Sequence, residues 1–210
     1  MTSWPPSSWA ALVESGVRHT YQPGQHILRQ GEEGSWVVAI IKGRARVVYH
    51  AASGSEILLA IRGPGDLLGE FGYGDREPRS ASVIAIEPCL GSLVTDSHFT
   101  AWLAAHQNHR QLDRYVLAKT REAAKVTWQL TRCRPAQRLA ALLLEIVSTG
   151  RSRSPEPLTI PMSQEEIARG LGLARSSITP VLAEWKRRRI VSITRSHMTV
   201  LDLEALQREL

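Results

Sequence analysis

Cysteine is scarce in this chain. Of 210 residues only Cys89 and Cys133 carry a thiol, far apart and without a CxxC spacing. That excludes a disulfide framework, and a zinc or iron-sulfur site built from the cysteines of one chain. Long apolar runs are missing as well, none approaching the roughly 20 residues that cross a bilayer. The opening, MTSWPPSSWAALVESG, has neither the basic start nor the continuous apolar stretch of a signal peptide. No P-loop, nucleophile elbow or HExxH spacing occurs, so no enzyme class finds its catalytic set. His26, His50 and His98 are scattered and, with the two thiols, give a redox or gas sensor no cluster spacing. These absences predict a non-enzyme of the reducing cytoplasm with no metal, no tightly bound cofactor and no membrane partner.

What is present is a basic chain of ordinary polarity. Lys plus Arg number 26 against 20 acidic residues, a net charge of +6, which attracts polyanions without naming one. With 43% hydrophobic and 22% charged residues, one or two globular domains are expected. From about Tyr21 to Thr95 short β-branched runs alternate with glycine turns: His26 to Gln30, Trp36 to Ile41, Arg44 to His50, Glu56 to Ile61, Ser82 to Ile86 and Leu90 to Val94. Such spacing predicts a barrel or sandwich. The turns are Pro23-Gly24, Gly31, Lys42-Gly43, Ser53-Gly54 and Gly63-Pro64-Gly65-Asp66. The run from Val37 to Ile41 is apolar throughout and predicts a strand covered on both faces.

After Val94 the pattern turns helical. Asp96 or Ser97 can cap a run from His98 to His106, and a longer polar-apolar pattern continues to about Arg132. Leu112, Val116, Lys119, Ala123, Val126 and Leu130 follow one another at spacings of 4, 3, 4, 3 and 4. That stripe is either the seam of a dimerising coiled coil, with Lys119 its one discordant member, or the face by which an amphipathic helix packs on its own barrel. Pro135 cannot continue a helix but suits the first turn of a new one, so a hinge is placed there. A helix from Ala136 to Val147 and a polar loop, Ser148 to Pro157, follow.

Ser163 with Glu166 three residues on forms a capping box, and Ile167, Ala168 and Leu171 supply the apolar stripe of the helix it opens. Gly172 breaks that helix and a second runs from Arg175 to Arg189, a helix-turn-helix. Ile190 to Ile193 and Met198 to Leu201 read as the strands of a wing. The second helix of such a unit enters the major groove N-terminus first, so Arg175, Ser176, Ser177 and Thr179 are placed at base edges. Arg175 can grip guanine through two hydrogen bonds. Ser163, Gln164, Lys186, Arg195 and His197 are placed at phosphates. The run Lys186-Arg187-Arg188-Arg189 also reads as a solvated helix end favoured by the macrodipole.

In this order of parts the chain resembles the Crp/Fnr family, the cyclic-AMP receptor protein and its relatives, over nearly its whole length. Three motifs carry the resemblance. Tyr21-x-Pro23-Gly24-Gln25-x-Ile27 with Gln30-Gly31-Glu32 looks like the opening of the family's barrel. Gly65-Asp66-Leu67-Leu68-Gly69-Glu70-Phe71 followed by Pro78-Arg79-Ser80-Ala81 looks like its phosphate-binding cassette, and Gln164 to Leu182 like its helix-turn-helix. The fold implied is α+β: a cyclic-nucleotide-binding β-barrel of the jelly-roll (double-stranded β-helix) type over 1–106, a long dimerisation helix and hinge over 107–134, and a winged helix-turn-helix over 135–210.

The resemblance implies a DNA-binding transcription regulator controlled by cyclic AMP or, second, cyclic GMP. Its ligand site takes in Gly69, Glu70, Phe71, Arg79, Ser80 and Thr127. Gly69 lets backbone come close to a ligand, and the amides after it can point at an anion. Arg79 can grip a cyclic phosphate with two hydrogen bonds while Ser80 adds a hydroxyl. Glu70 can accept from a ribose hydroxyl and pair with Arg79. The chain departs from the family at the two hydroxyl residues that contact the base, which fall on Ala123 and Ala124. Thr120 and Thr127, a turn away on either side, are the substitutes at hand. In the recognition helix Ser176 stands where many relatives have glutamate, and Pro180 replaces a second arginine. The implied partners are a second copy of the chain, a pseudo-palindromic duplex and RNA polymerase. The alternatives are a regulator of the same fold needing no effector, and a redox or gas sensor.

Overall fold

The computed structural model describes residues 4–149, 158–194 and 197–210. Pro6 opens α1 (Pro6–Glu14), where its missing N–H costs nothing. The strands then run β1 (Val17–Tyr21), β2 (His26–Leu28), β3 (Trp36–Lys42), β4 (Ala45–His50), β5 (Glu56–Arg62) and β6 (Leu67–Leu68). The short helix α2 (Glu70–Asp75) and strands β7 (Ser82–Ala85) and β8 (Cys89–Thr95) complete the set. They form two antiparallel four-stranded sheets, ordered β1-β8-β3-β6 and β2-β7-β4-β5. This is the jelly-roll arrangement expected.

Strand β3 lies between β8 and β6 and is fully buried from Val37 to Ile40, as its apolar run predicts. Strand β1 carries no alternation because it is an edge strand with four of its five residues exposed, and β6 is only two residues long. Neither leaves a pattern in the sequence. Helix α3 (Asp96–Ala105) is capped by Thr95, one residue earlier than read, whose hydroxyl accepts from the His98 N–H. Trp4 and Trp102 pack edge to face, 5.2 Å between centroids, sealing one end of the barrel under α1 and α3.

The long helix α4 (His109–Arg132) answers the question left by its stripe. Leu112 and Tyr115 pack into the barrel-end cluster, Lys119 is turned onto the barrel, and Val126 and Leu130 line a small cavity with Leu58 and Leu142. These members of the stripe face their own chain, while Ala123 is exposed. Leu117 and Trp128 stay 53% and 60% exposed on another face of the helix.

At Cys133 and Arg134 the backbone is extended, and α5 (Pro135–Ser148) begins with proline at its first position. The C-terminal unit adds β9 (Leu158–Ile160), α6 (Gln164–Gly170), α7 (Arg175–Arg187), β10 (Val191–Ile193), β11 (Met198–Val200) and α8 (Leu203–Gln207). Its three strands are ordered β10-β11-β9. Leu139, Leu143, Ile146, Ile167, Ile178, Leu182 and Trp185 fill its core, which is continuous with Val48, Leu58 and Ile61 of the barrel. Polar ties reinforce that junction. Arg44 binds Glu87 through two hydrogen bonds of 3.0 and 2.6 Å and donates to the carbonyls of Ile146 and Thr159. The Ile61 N–H donates to Glu145 over 2.9 Å.

Burial pushes the Glu145 carboxyl above the ordinary carboxylate range, against the pull of the Ile61 hydrogen bond and the Arg62 charge. A carboxyl so raised holds its proton longer in the folded chain than in the unfolded one. Its stabilising contribution is full below about pH 4.5 and is lost as pH rises through the folded value. Glu145→Gln keeps an oxygen for Ile61 without the charge. Its melting temperature relative to the parent is expected to climb as pH rises from about 4.5 to neutrality. Equal pH profiles for the two proteins would refute this.

Candidate functional site

Gly69 adopts φ +85, in the left-handed region that side chains avoid, and so turns the chain from β6 into α2. A second constraint acts on it: a Cβ at Gly69 or at Gly34 would collide with the Arg79 guanidinium. The two glycines thus form a slot for that side chain. Its backbone is pinned to the Gly31-Glu32 turn by the pairs Gly31 N–H to Arg79 carbonyl, 2.8 Å, and Arg79 N–H to Glu32 carbonyl, 2.9 Å. Nη1 donates to the Gly69 carbonyl over 2.6 Å and Nη2 to the Trp36 carbonyl. The guanidinium also lies 5.5 Å from the centre of the Trp36 ring.

Arg79 is 5% exposed and its Nε is buried; among the described residues Nε has no partner and the side chain makes no ion pair. The buried Arg46 and Arg62 and the half-buried Arg44 behave differently, being paired with Glu56, Glu122 and Glu87 at 2.9, 2.7 and 2.6 Å. Burial pulls the Arg79 pKa down, with Asp96, Glu70 and Glu32 opposing from a distance. A cation sits here with hydrogen-bond donors to spare and no counter-ion in contact.

Glu70 does not pair with Arg79, contrary to the expectation from sequence. The turn at Gly69 directs it to the other side, where Lys119 of α4 donates to its carboxylate over 2.7 Å and to the Leu67 carbonyl over 2.8 Å. Lys119 lies 4.5 Å from the centre of the Tyr115 ring, and the Tyr115 hydroxyl donates to Asp66 while accepting from the Leu67 N–H. Burial pulls the Lys119 pKa down and Arg62 adds to the effect, while Glu70 opposes it. The polar member of an apolar stripe was the one signal that could have found Lys119. Gly34 and Trp36 left none.

Gly69 and Arg79 are therefore in contact while Glu70 faces Lys119, with Phe71 and Ser80 beside them in the chain and both exposed. Thr127 does not join them. It lies two turns beyond Lys119, roughly 12 Å along the helix, exposed, and its hydroxyl donates to the Ala123 carbonyl. Ala123 and Ala124 are exposed as well. A cleft of about 1090 Å³ runs beside Lys119, between β5, α4 and α5, and reaches neither Arg79 nor Ser80.

In the C-terminal unit α7 presents Arg175, Ser176, Thr179, Pro180 and Lys186 to solvent, with Ser177 half-buried. Thr179 donates its hydroxyl to the Arg175 carbonyl. Pro180 is the sixth residue of α7, past the first turn, yet the helix continues to Arg187. Ser163 spends its hydroxyl on the capping box with Glu166, while Gln164 begins α6 half-exposed. Of the basic run, Arg187 pairs with Glu184 and Arg188 with Glu209. Arg195 lies outside the described residues, and His197 stands at the foot of the wing, its carbonyl accepting from Thr194.

Among the described residues no cluster of three or more His, Cys, Asp or Glu is placed to hold a metal, and no helix is long and apolar enough to cross a membrane. The Cys89 thiol is buried, donates to the Arg44 and Glu87 carbonyls, and has its pKa pushed up to about 11, chiefly by desolvation. Such a thiol is not poised as a thiolate. One thiol per chain, that of Cys133, is expected to react with a thiol reagent in the native protein, and Cys89 only after unfolding. Rapid native labelling of both would revive a redox role.

Comparison with known proteins matches residues 18–106 to the cyclic nucleotide-binding domain and residues 137–209 to the Crp-like helix-turn-helix domain. A CRP-like cAMP-activated global transcriptional regulator of Mycobacterium tuberculosis is 26% identical over 206 residues, 97% of this chain and 92% of that protein. The structure of FixK2 from Bradyrhizobium japonicum superimposes with a TM-score of 0.75 at 21% identity, covering 92% of this chain and 96% of that one. The c-di-GMP responsive global regulator CLP of Xanthomonas campestris gives 0.76 at 14% identity, covering 94% of this chain and 100% of that one.

Proposed function

This chain belongs to the Crp/Fnr family of DNA-binding transcription regulators, and on that footing we propose that a cyclic nucleotide, gripped by Arg79, controls its binding to DNA as a homodimer. The observation that carries the proposal is the buried Arg79 guanidinium, which lacks a carboxylate and keeps Nε free of any partner. One phosphodiester charge supplies what is missing. Ser80 adds a hydroxyl, Glu70 takes a ribose hydroxyl on the oxygen that Lys119 leaves, and Phe71 borders the site. Cyclic AMP is the first candidate and cyclic GMP the second. With alanine at 123 and 124, the two are expected to bind within about tenfold of each other, since one base-reading hydrogen bond is worth about a kcal/mol.

Dimerisation uses the side of α4 turned away from the barrel, where Leu117, Thr120, Ala124, Thr127 and Trp128 are exposed. A two-fold dimer presents two α7 helices to a pseudo-palindromic duplex, with half-sites about one helical turn apart. Arg175, Ser176, Ser177 and Thr179 serve at base edges, and Gln164, Lys186 and Arg195 at phosphates. Ligand acts to the extent that it prefers the DNA-competent arrangement of the paired helices.

Calorimetric titration of ligand-free protein with cyclic AMP and cyclic GMP tests the proposal. Micromolar binding of either supports it. No heat with either, from folded protein, overturns nucleotide control and leaves an effector-independent regulator.

A further inference from the structure

The outward face of α7 is unusual for a helix that reads a major groove. Between Arg175 at its start and Lys186 near its end, the exposed residues are Ser176, Thr179, Pro180 and Ala183, none of them charged or bearing a side-chain amide, and the half-buried Glu184 beside them is paired with Arg187. Ile178, Leu182 and Trp185 are buried in the core and unavailable. Thr179 has already donated its hydroxyl proton to the Arg175 carbonyl. Pro180, having no N–H, cannot donate to the carbonyl four residues back, so Ser176 keeps a main-chain acceptor that a regular helix would consume. The centre of the helix thus offers a proline ring and methyl groups, beside an acceptor and a single hydroxyl.

On the floor of the major groove one base-edge feature is apolar, the thymine C5 methyl. On the same pair adenine presents an N6 donor. An A·T pair therefore satisfies both halves of what the centre of α7 offers. A G·C pair also offers an amine, on cytosine N4, but it has no methyl and sets the two acceptors of guanine against a face that has only the Ser176 hydroxyl to donate. Short side chains also let the helix axis approach the bases more closely than long ones would.

We propose that Pro180 and Ser176 make the inner part of each half-site A·T-specific, with thymine methyls against Pro180 and Ala183 and an adenine amine on the Ser176 carbonyl, inward of a guanine read by Arg175. The inference rests on α7 being the groove-entering helix. It adds a class of sequence that this helix accepts, and makes a proline a specificity-determining residue.

The full-length protein is used to select duplexes from a random pool, with and without cyclic AMP. Enriched half-sites are then resynthesised with single thymines replaced by deoxyuridine, which removes the methyl and nothing else. Enrichment of A·T pairs inward of a guanine is expected, with roughly fourfold weaker binding for each contacted methyl removed, about the worth of one buried carbon. In Pro180→Ala, which restores the N–H and removes the ring, the deoxyuridine penalty at that position should vanish. The salt dependence should be unchanged, because no phosphate contact is lost. Enriched sites with G·C pairs there, or deoxyuridine without effect, would overturn the inference while leaving α7 as the reading helix. No enrichment under either condition would overturn both.

Discussion

Replacing Arg79 by alanine is expected to weaken cyclic-nucleotide binding by a hundredfold or more. A charge-assisted hydrogen bond is worth about 1.5–3 kcal/mol, a forked pair roughly twice that, and each 1.4 kcal/mol is tenfold in affinity. Not every donor is taken up by the protein. A guanidinium has about five N–H groups, and the Gly69 and Trp36 carbonyls take one from each Nη, leaving Nε and others free. Arg79→Lys keeps charge without the fork and is expected to fall between the parent and alanine. Calorimetry with both nucleotides measures the series. Circular dichroism serves as the control, because alanine leaves two carbonyls without donors. A folded alanine variant within threefold of the parent would remove Arg79 from the phosphate site.

The second large effect concerns stability. Lys119→Met is expected to cost the barrel about 3–5 kcal/mol, because Glu70, 2% exposed at its side chain, would be left as an uncompensated buried charge. An isolated buried carboxylate has a raised pKa and so binds protons in the folded state that the unfolded chain does not. The variant should therefore regain stability as pH falls toward the ordinary carboxylate range, the reverse of ordinary acid destabilisation. Lys119→Met with Glu70→Gln removes the stranded charge and should recover most of the loss. Urea unfolding at two pH values checks the pair. Additive single-variant losses in the double variant would show that the contact does no coupling.

Several parts of this molecule were legible because their chemistry is local. The glycine turns and the apolar run at β3 mark the barrel, the Ser163 and Glu166 box marks the start of α6, and Pro135 marks the start of α5. What escaped depends on distant neighbours. The edge strand β1 is exposed, so it has no alternation to read. The stripe on α4 has the spacing of a seam whichever partner it meets, and only the fold shows that Leu112, Lys119 and Val126 meet the chain's own barrel. The partner of Glu70 was misread because Arg79 is near in sequence, whereas Lys119 is 49 residues away. The slot formed by Gly34 and Gly69 brings together residues that no motif joins.

The junction built on Arg44 changes how movement can pass through the molecule. Barrel and C-terminal unit share one apolar core and are tied by Arg44, just before β4, and by Glu145, so the β4 and β5 region is joined to α5. Strand β5 is also tied to α4 through Arg62 and Glu122. A twist of α4 thus has two load paths to α7, one through the extended link at Cys133 and Arg134 and one through β5. With two such connections the assembly is expected to respond as a braced frame rather than a door on a single pivot, so that slack in the link alone would not free α7 from α4.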